Sequence, residues 1–160
     1  MGTANIDDAL ALVSKYFRGV TDKDGVPYVM HCLRVMMGVS DTEAQLVALM
    51  HDLVEDTPVT LNQLEALGFS QAVVQALDLV THRKGISYAD YVVALRDNSI
   101  ARQVKLSDLR DNTALHRVLY RSKQQERDLK RIQRYILSYQ YLEYRIDEAE
   151  YRAAMARFEE

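Results

Sequence analysis

Residues 40–56 read Ser40-Asp41-Thr42-Glu43-Ala44-Gln45-Leu46-Val47-Ala48-Leu49-Met50-His51-Asp52-Leu53-Val54-Glu55-Asp56. Ser40 with Glu43 matches a capping box, in which a hydroxyl and an acidic side chain three residues on satisfy amides at a helix start. The pattern predicts a helix over about 41–55. At about 100° per residue, Leu46, Leu49, Met50 and Leu53 share one side, suited to a core. His51, Asp52, Glu55 and Asp56 fall on another arc. Such an arc is ordinarily solvated surface, but this one packs a His and three carboxylates together with no Lys or Arg beside them. Like charges so close repel unless a cation or shared protons offset them. A bound metal would resolve the repulsion.

Helical signals recur on both sides of this stretch. Ile6, Leu10, Val13 and Phe17 form a stripe ending near Gly19, followed by a turn-rich loop from Val20 to Val26. Pro27 is placed to open a helix running to about Val39. Thr60 with Gln63 caps a short helix that stops at Gly68, and Ser70 opens another ending near Thr81. After the basic loop His82-Arg83-Lys84-Gly85, Ser87 with Asp90 opens a helix to about Arg96, and Ser99 begins one to about Asn112. A long helix is expected from about Lys123 to Arg145, broken near Asp147 and resuming to Phe158. Strand-like alternation is absent. The expectation is all-α: one domain over 1–160, a compact bundle of about eight helices. The C-terminal helices, about 123–158, would pack on it or form a homo-oligomer interface through Tyr135, Tyr139, Tyr141, Tyr144 and Tyr151.

Composition narrows the function classes. With 48% hydrophobic residues, 27% charged, 6 Gly and 2 Pro in 160, a disordered chain is excluded. Cys32 is the lone cysteine, so no intrachain disulfide forms, and the expected setting is a reducing cytoplasm. No apolar run approaches the roughly 20 residues a membrane span needs, and the N-terminus, with Asp7 and Asp8, does not resemble a secretion signal. Residues 1–100 carry 7 Lys/Arg against 13 Asp/Glu, while 101–160 carry 13 against 10. The acidic first part argues against a nucleic-acid partner. A basic stretch from Arg102 to Arg134, near a carboxylate-rich site, suits a phosphorylated small molecule.

Two further segments join the metal-ligand pattern. His31 lies among Val29, Cys32, Leu33 and Met36 on the helix preceding His51-Asp52, and a short connection makes the two helices antiparallel neighbours. Asp108 and Asn112, four apart, share a helix face. His31, His51, Asp52 and Asp108 thus make a candidate tetrad for one divalent ion. Neutral imidazole with carboxylate suits Mn, Fe, Ni or Zn rather than the all-oxygen shells of Ca and Mg. Such a site makes hydroxide from water near neutral pH, the core of metal-assisted phosphoester hydrolysis. Arg83 and Lys84 could clamp a pyrophosphate, and Lys105 could offset phosphate charge. His82 and His116 read as surface groups, and Cys32 as a small core residue.

Pro27-Tyr28-Val29-Met30-His31, then Met50-His51-Asp52-Leu53-Val54-Glu55-Asp56-Thr57, then Val104-Lys105-Leu106-Ser107-Asp108 with Asn112 resemble, in order, the signatures of the HD-superfamily hydrolases. More narrowly they are similar to the (p)ppGpp 3′-pyrophosphohydrolase domains of the RelA/SpoT-like group and the small alarmone hydrolases. The resemblance implies an HD-domain fold and Mn²⁺ on His31, His51, Asp52 and Asp108. It implies that Glu55 and Asp56 orient or activate the attacking water, that Lys23 contacts the nucleotide, and that Asn112 contacts its sugar or phosphates. Thr81 and Tyr88 stand where the family has its own Thr and Tyr.

The sequence also departs from that pattern. Asp22 stands where the family tends to carry a guanine-stacking Arg, a loss of about 0.5–2 kcal/mol of base recognition. The late motif reads Ser-Asp-Leu-Arg-Asp-Asn, with Asp111 where the family has His, and Cys32 replaces the usual Pro. Asp22 keeps open another phosphorylated nucleotide, such as NADPH or a nucleoside polyphosphate. A non-catalytic nucleotide-binding module is the different-class alternative, disfavoured by the intact tetrad.

Overall fold

The computed structural model describes residues 3–117 and 125–158. The expected start of the long helix near Lys123, and the side chain of His116, lie outside the described set. The helices are α1 (Ile6–Tyr16), α2 (Val29–Met37), α3 (Thr42–Met50), α4 (Leu53–Asp56), α5 (Leu61–Ala66), α6 (Gln71–Val80), α7 (Tyr88–Leu95), α8 (Ser99–Thr113), α9 (Gln125–Leu142) and α10 (Glu148–Met155). Among the described residues there is no strand, only an isolated antiparallel bridge between Thr21 and Pro27. The all-α expectation holds. No helix among these residues is long and apolar enough to cross a membrane.

Several helix starts form through the side chains the sequence singled out. Thr60 and Gln63 make a reciprocal capping box on α5, while Ser70 and Ser87 cap α6 and α7 by accepting from the Val73 and Asp90 amides. Two starts differ. Asp41, not Ser40, caps α3, because its Oδ1 accepts from the Ala44 amide at 2.9 Å. Pro27 pairs with Thr21 instead of opening α2, and its carbonyl accepts from Met30, a tight turn that delays the helix to Val29.

The larger correction lies between 41 and 56. A single two-faced helix does not form. α3 ends at Met50, His51 and Asp52 make a turn, and α4 begins at Leu53. Six of the nine residues of α3 are buried, so it behaves as a core helix, apolar nearly all round. It packs against α1, α2, α6 and α8. This central position brings α2, the turn after α3, and α8 to one place.

The approach of α2 to α8 depends on Gly38. A Cβ there would lie 2.1 Å from Ser107 Oγ and 3.1 Å from its Cβ. Ser107, one residue before Asp108, is buried and donates to the Val35 carbonyl at 2.8 Å. A bare backbone at 38 therefore lets α8 lie against the end of α2. At the other end, α10 packs on α9 and α7, and Tyr141 stacks on Tyr151 with centroids 4.6 Å apart, both rings buried. These two tyrosines are internal packing, whereas Tyr144 is exposed.

Candidate active site

His51 and Asp52 form the turn between α3 and α4, with both backbones still in the right-handed helical region. His51 Nε2 lies 2.9 Å from Asp52 Oδ2. From α2, His31 brings its Nε2 within 3.2 Å of His51 Nε2 and 3.9 Å of Asp52 Oδ2. From α8, Asp108 Oδ1 lies 3.3 Å from His31 Nε2 and 3.7 Å from His51 Nε2. Ligand atoms of His31, His51 and Asp108 all lie within 4.8 Å of one another.

The hydrogen bonds behind these atoms decide what the cluster can hold. His51 Nδ1 donates to the Ala48 carbonyl at 2.8 Å, and His31 Nδ1 donates to Asp111 Oδ2 at 2.6 Å. In the neutral rings both Nε2 atoms are then bare acceptors. Two imidazole lone pairs and two carboxylate oxygens face one another, so the cluster needs protons or a cation between them. Ligands about 2.1 Å from an ion and at right angles to one another sit about 3 Å apart, which matches the His31–His51 spacing. The residues fit a divalent ion with mixed nitrogen and oxygen donors.

Electrostatics without an ion tells the same story. Burial opposes charge on both imidazoles, but Asp52 and Asp108 hold His51 up at about 9, and Asp108 and Asp111 raise His31. Burial likewise opposes ionisation of Asp108, yet Lys105 and the two imidazoles hold it well below the usual carboxylate range. Lys105 Nζ sits 2.9 Å from Asp108 Oδ2, beneath the rings of Tyr88 and Tyr91. Its charge is committed to Asp108. Cys32 is fully buried, and burial with Asp52 close by pushes its thiol up to about 12, so it stays protonated.

The cluster opens into a cleft of about 740 Å³. Glu55 and Asp56 line it, and burial raises both carboxyls, with the charge of Asp52 adding to the effect. Glu55 Oε2 accepts from the His82 amide at 2.9 Å. Lys23 and Asn112 also line the cleft. Asn112 donates through Nδ2 to Asp108 Oδ1 and accepts from Arg117 at 3.3 Å, so its amide already braces the centre. Lys23 rides on a tight loop. There Asp22 Oδ1 accepts from the Asp24 and Val26 amides, and Gly25 takes φ 79°, a left-handed conformation that favours glycine.

Arg83 lies elsewhere: it is exposed, pairs with Asp78, and is not among the residues lining the cleft. The cations that do line it from α9 are Arg131 and Arg134. His82, expected on the surface, is half-buried, donates through Nε2 to the Ile86 carbonyl and lines the cleft. Sequence reasoning missed Tyr28, whose hydroxyl donates to Asp52 Oδ2, and the Asp111–Arg34–Arg117 group. Arg34 lies one turn after His31 and Asp111 one turn after Asp108, a spacing that could have flagged them.

No family model matches the chain. A GTP pyrophosphokinase of Streptomyces coelicolor is 28% identical over 135 residues, 76% of this chain and 16% of that protein. A guanosine-3′,5′-bis(diphosphate) 3′-pyrophosphohydrolase of Escherichia coli O157:H7 is 32% identical over 85 residues, 50% of this chain and 12% of that protein. The chain thus spans less than a fifth of the length of either relative. A solved structure of a metazoan ortholog of SpoT, described as hydrolysing ppGpp and playing a role in starvation responses, superposes with a TM-score of 0.62. It is 18% identical and covers 98% of this chain and 97% of that one, a likeness of fold. In sequence this chain is similar to these pyrophosphokinase and pyrophosphohydrolase proteins, and in fold to the SpoT ortholog.

Proposed function

We propose that this chain is a metal-dependent phosphohydrolase that removes the 3′-linked pyrophosphate of (p)ppGpp, leaving GDP or GTP and pyrophosphate. The observation that supports the proposal is the cluster of His31, His51 and Asp108, whose ligand atoms lie within 4.8 Å of one another, with Asp52 Oδ2 2.9 Å from His51 Nε2, in a cleft that α9 lines with Arg131 and Arg134. The names of the curated relatives and of the structural neighbour support the choice of substrate. The whole of residues 1–160 acts in this proposal as one HD-type unit with α9 and α10 packed on it. Its workplace is the cytoplasm, in keeping with a lone buried cysteine.

His31, His51, Asp52 and Asp108 would hold the ion, with Mn²⁺ the metal of choice. When bound, it supplies positive charge to phosphoryl oxygens and makes water acidic near neutral pH. Glu55 and Asp56, with carboxyls more basic than usual, take the proton of the attacking water. Water attacks the phosphorus joined to the ribose 3′ oxygen and that P–O bond breaks; the 3′ oxygen takes up a proton to become the hydroxyl of GDP or GTP, and the pyrophosphate carries away the water oxygen. Lys23, Arg131 and Arg134 offset the phosphate charge. Homo-oligomers through the C-terminal helices remain part of the proposal only for exposed positions such as Ile136 and Tyr144.

A second substrate class has one observation in its favour. The Asp22 carboxylate is turned into its own loop and towards Arg117 at 3.3 Å, so position 22 offers no cation to a guanine. Another phosphorylated nucleotide, such as NADPH or a nucleoside polyphosphate, would suit such a site. A nucleotide panel with Mn²⁺, scored for phosphate against pyrophosphate, separates the two. Pyrophosphate released from ppGpp supports the first substrate; release of phosphate from another nucleotide alone supports the second.

A further inference from the structure

Asp111 is 8% exposed at its side chain and serves three partners. Oδ2 accepts from His31 Nδ1 at 2.6 Å, Oδ1 accepts from Arg34 Nε at 2.6 Å, and Arg117 donates to Oδ2. Arg117 also pairs with Asp22 at 3.3 Å, whose other oxygen gathers the loop amides of Asp24 and Val26. A continuous run of charged hydrogen bonds therefore joins the His31 ring to the loop that carries Lys23. Its members come from three distant stretches, and no local ion pair would need all of them.

We propose that Asp111 is the positioning residue of the metal centre: its carboxylate fixes the proton of His31 on Nδ1, aims Nε2 at the ion, and through Arg117 ties that ring to the 20–27 loop. This rests on the metal-site proposal above. A carboxylate behind a ligating imidazole sets its tautomer and strengthens it as a donor to metal. His51 has only a neutral carbonyl in the same role, so His31 is the ring that gains most. Arg117, donating to the same Oδ2 that accepts from His31, holds that oxygen behind the ring. Arg34 is the ion-pair partner whose loss leaves the contacts of His31 and Arg117 to Asp111 in place.

The test is a Mn²⁺ titration, with the visible spectrum of the Co²⁺-loaded protein, for the wild type, Asp111→Ala, Asp111→Asn and Arg34→Gln. Asp111→Ala should weaken Mn²⁺ binding by about 10- to 100-fold and shift the Co²⁺ bands. Asp111→Asn keeps an acceptor without the charge and should fall between Ala and wild type; it decides the matter if the Ala variant does not fold. Arg34→Gln should lower the melting temperature but leave Mn²⁺ affinity within about twofold of wild type, since the contacts of His31 and Arg117 to Asp111 Oδ2 do not run through Arg34. Wild-type affinity and spectrum in the Asp111 variants would overturn the proposal. So would an equal loss of affinity in Arg34→Gln, which would reduce Asp111 to a fold-keeping role. A wild type that binds neither ion is a separate result, and overturns the metal-site proposal itself.

Discussion

His31 and His51 aim their Nε2 atoms at each other across 3.2 Å while each Nδ1 is committed to an acceptor behind it. Neutral rings so arranged repel, and they do so beside two carboxylates. The site is therefore poised for a positive species, whether protons in the metal-free protein or an ion in the loaded one.

Protons and metal should compete for this place. Burial disfavours charged His51, but Asp52 and Asp108 outweigh it and hold its pKa at about 9, against an ordinary 6.5. A folded value above the unfolded one stabilises the fold fully below about 6.5, and that contribution is lost as pH rises through about 9. Ligation needs the neutral ring, so metal affinity moves the other way. In thermal melts, EDTA-treated protein should lose stability from pH 6.5 to 9 while the gain on adding Mn²⁺ grows. A metal-free melting temperature that is flat over this window would contradict the arrangement.

Asp52→Ala should leave the fold intact, because the side chain faces the cleft and contributes little packing. Removing this ligand takes several kcal/mol from charge stabilisation in the transition state, a fall of about 10³-fold or more in kcat/KM. Circular dichroism should be unchanged. Turnover near wild type, in protein free of contaminating hydrolase, would exclude Asp52 from the centre.

The two candidate phosphate clamps should part company under mutation. Arg134→Ala removes a cation that lines the cleft and should raise KM for the nucleotide about tenfold or more, the range for one charge-assisted hydrogen bond. Arg83→Ala should leave KM close to wild type, because its guanidinium pairs with Asp78 outside the cleft lining. Steady-state kinetics on both variants checks the contrast, and the reverse pattern would restore the basic loop as the clamp.

Gly38→Ala tests how α8 is brought to α2. The new methyl would overlap Ser107 Oγ, and turning that hydroxyl away loses its bond to Val35. Overpacking of this kind costs about 1–3 kcal/mol, or about 2–4 °C in melting temperature per kcal/mol for a domain of this size. A variant as stable as wild type, with unchanged metal affinity, would show that the contact has room to spare.

Much of the scaffold could be read locally. Thr60, Ser70 and Ser87 announce their helices because a cap is a bond between near neighbours. Ser40 misled because Asp41, the next residue, has an equally suitable side chain. The break at His51-Asp52 was hidden for a different reason. Leu49-Met50-His51-Asp52-Leu53 carries no glycine or proline, so nothing in the local sequence marks the turn, which lies where His51 meets His31 and Asp108. The side chains of the cluster, His31, His51, Asp52 and Asp108, could be singled out from their types and spacing. Their supports could not, since Asp111 meets His31 across 80 residues and Arg117 meets Asp22 across 95.

The most direct measurement is anomalous diffraction at the manganese edge from crystals of the wild-type protein grown with Mn²⁺. A single strong peak bonded at about 2.0–2.3 Å to His31 Nε2, His51 Nε2, Asp52 and Asp108 is the expected result. No peak there at saturating Mn²⁺, or one that leaves these four side chains unligated, would contradict the metal centre and the hydrolysis built on it.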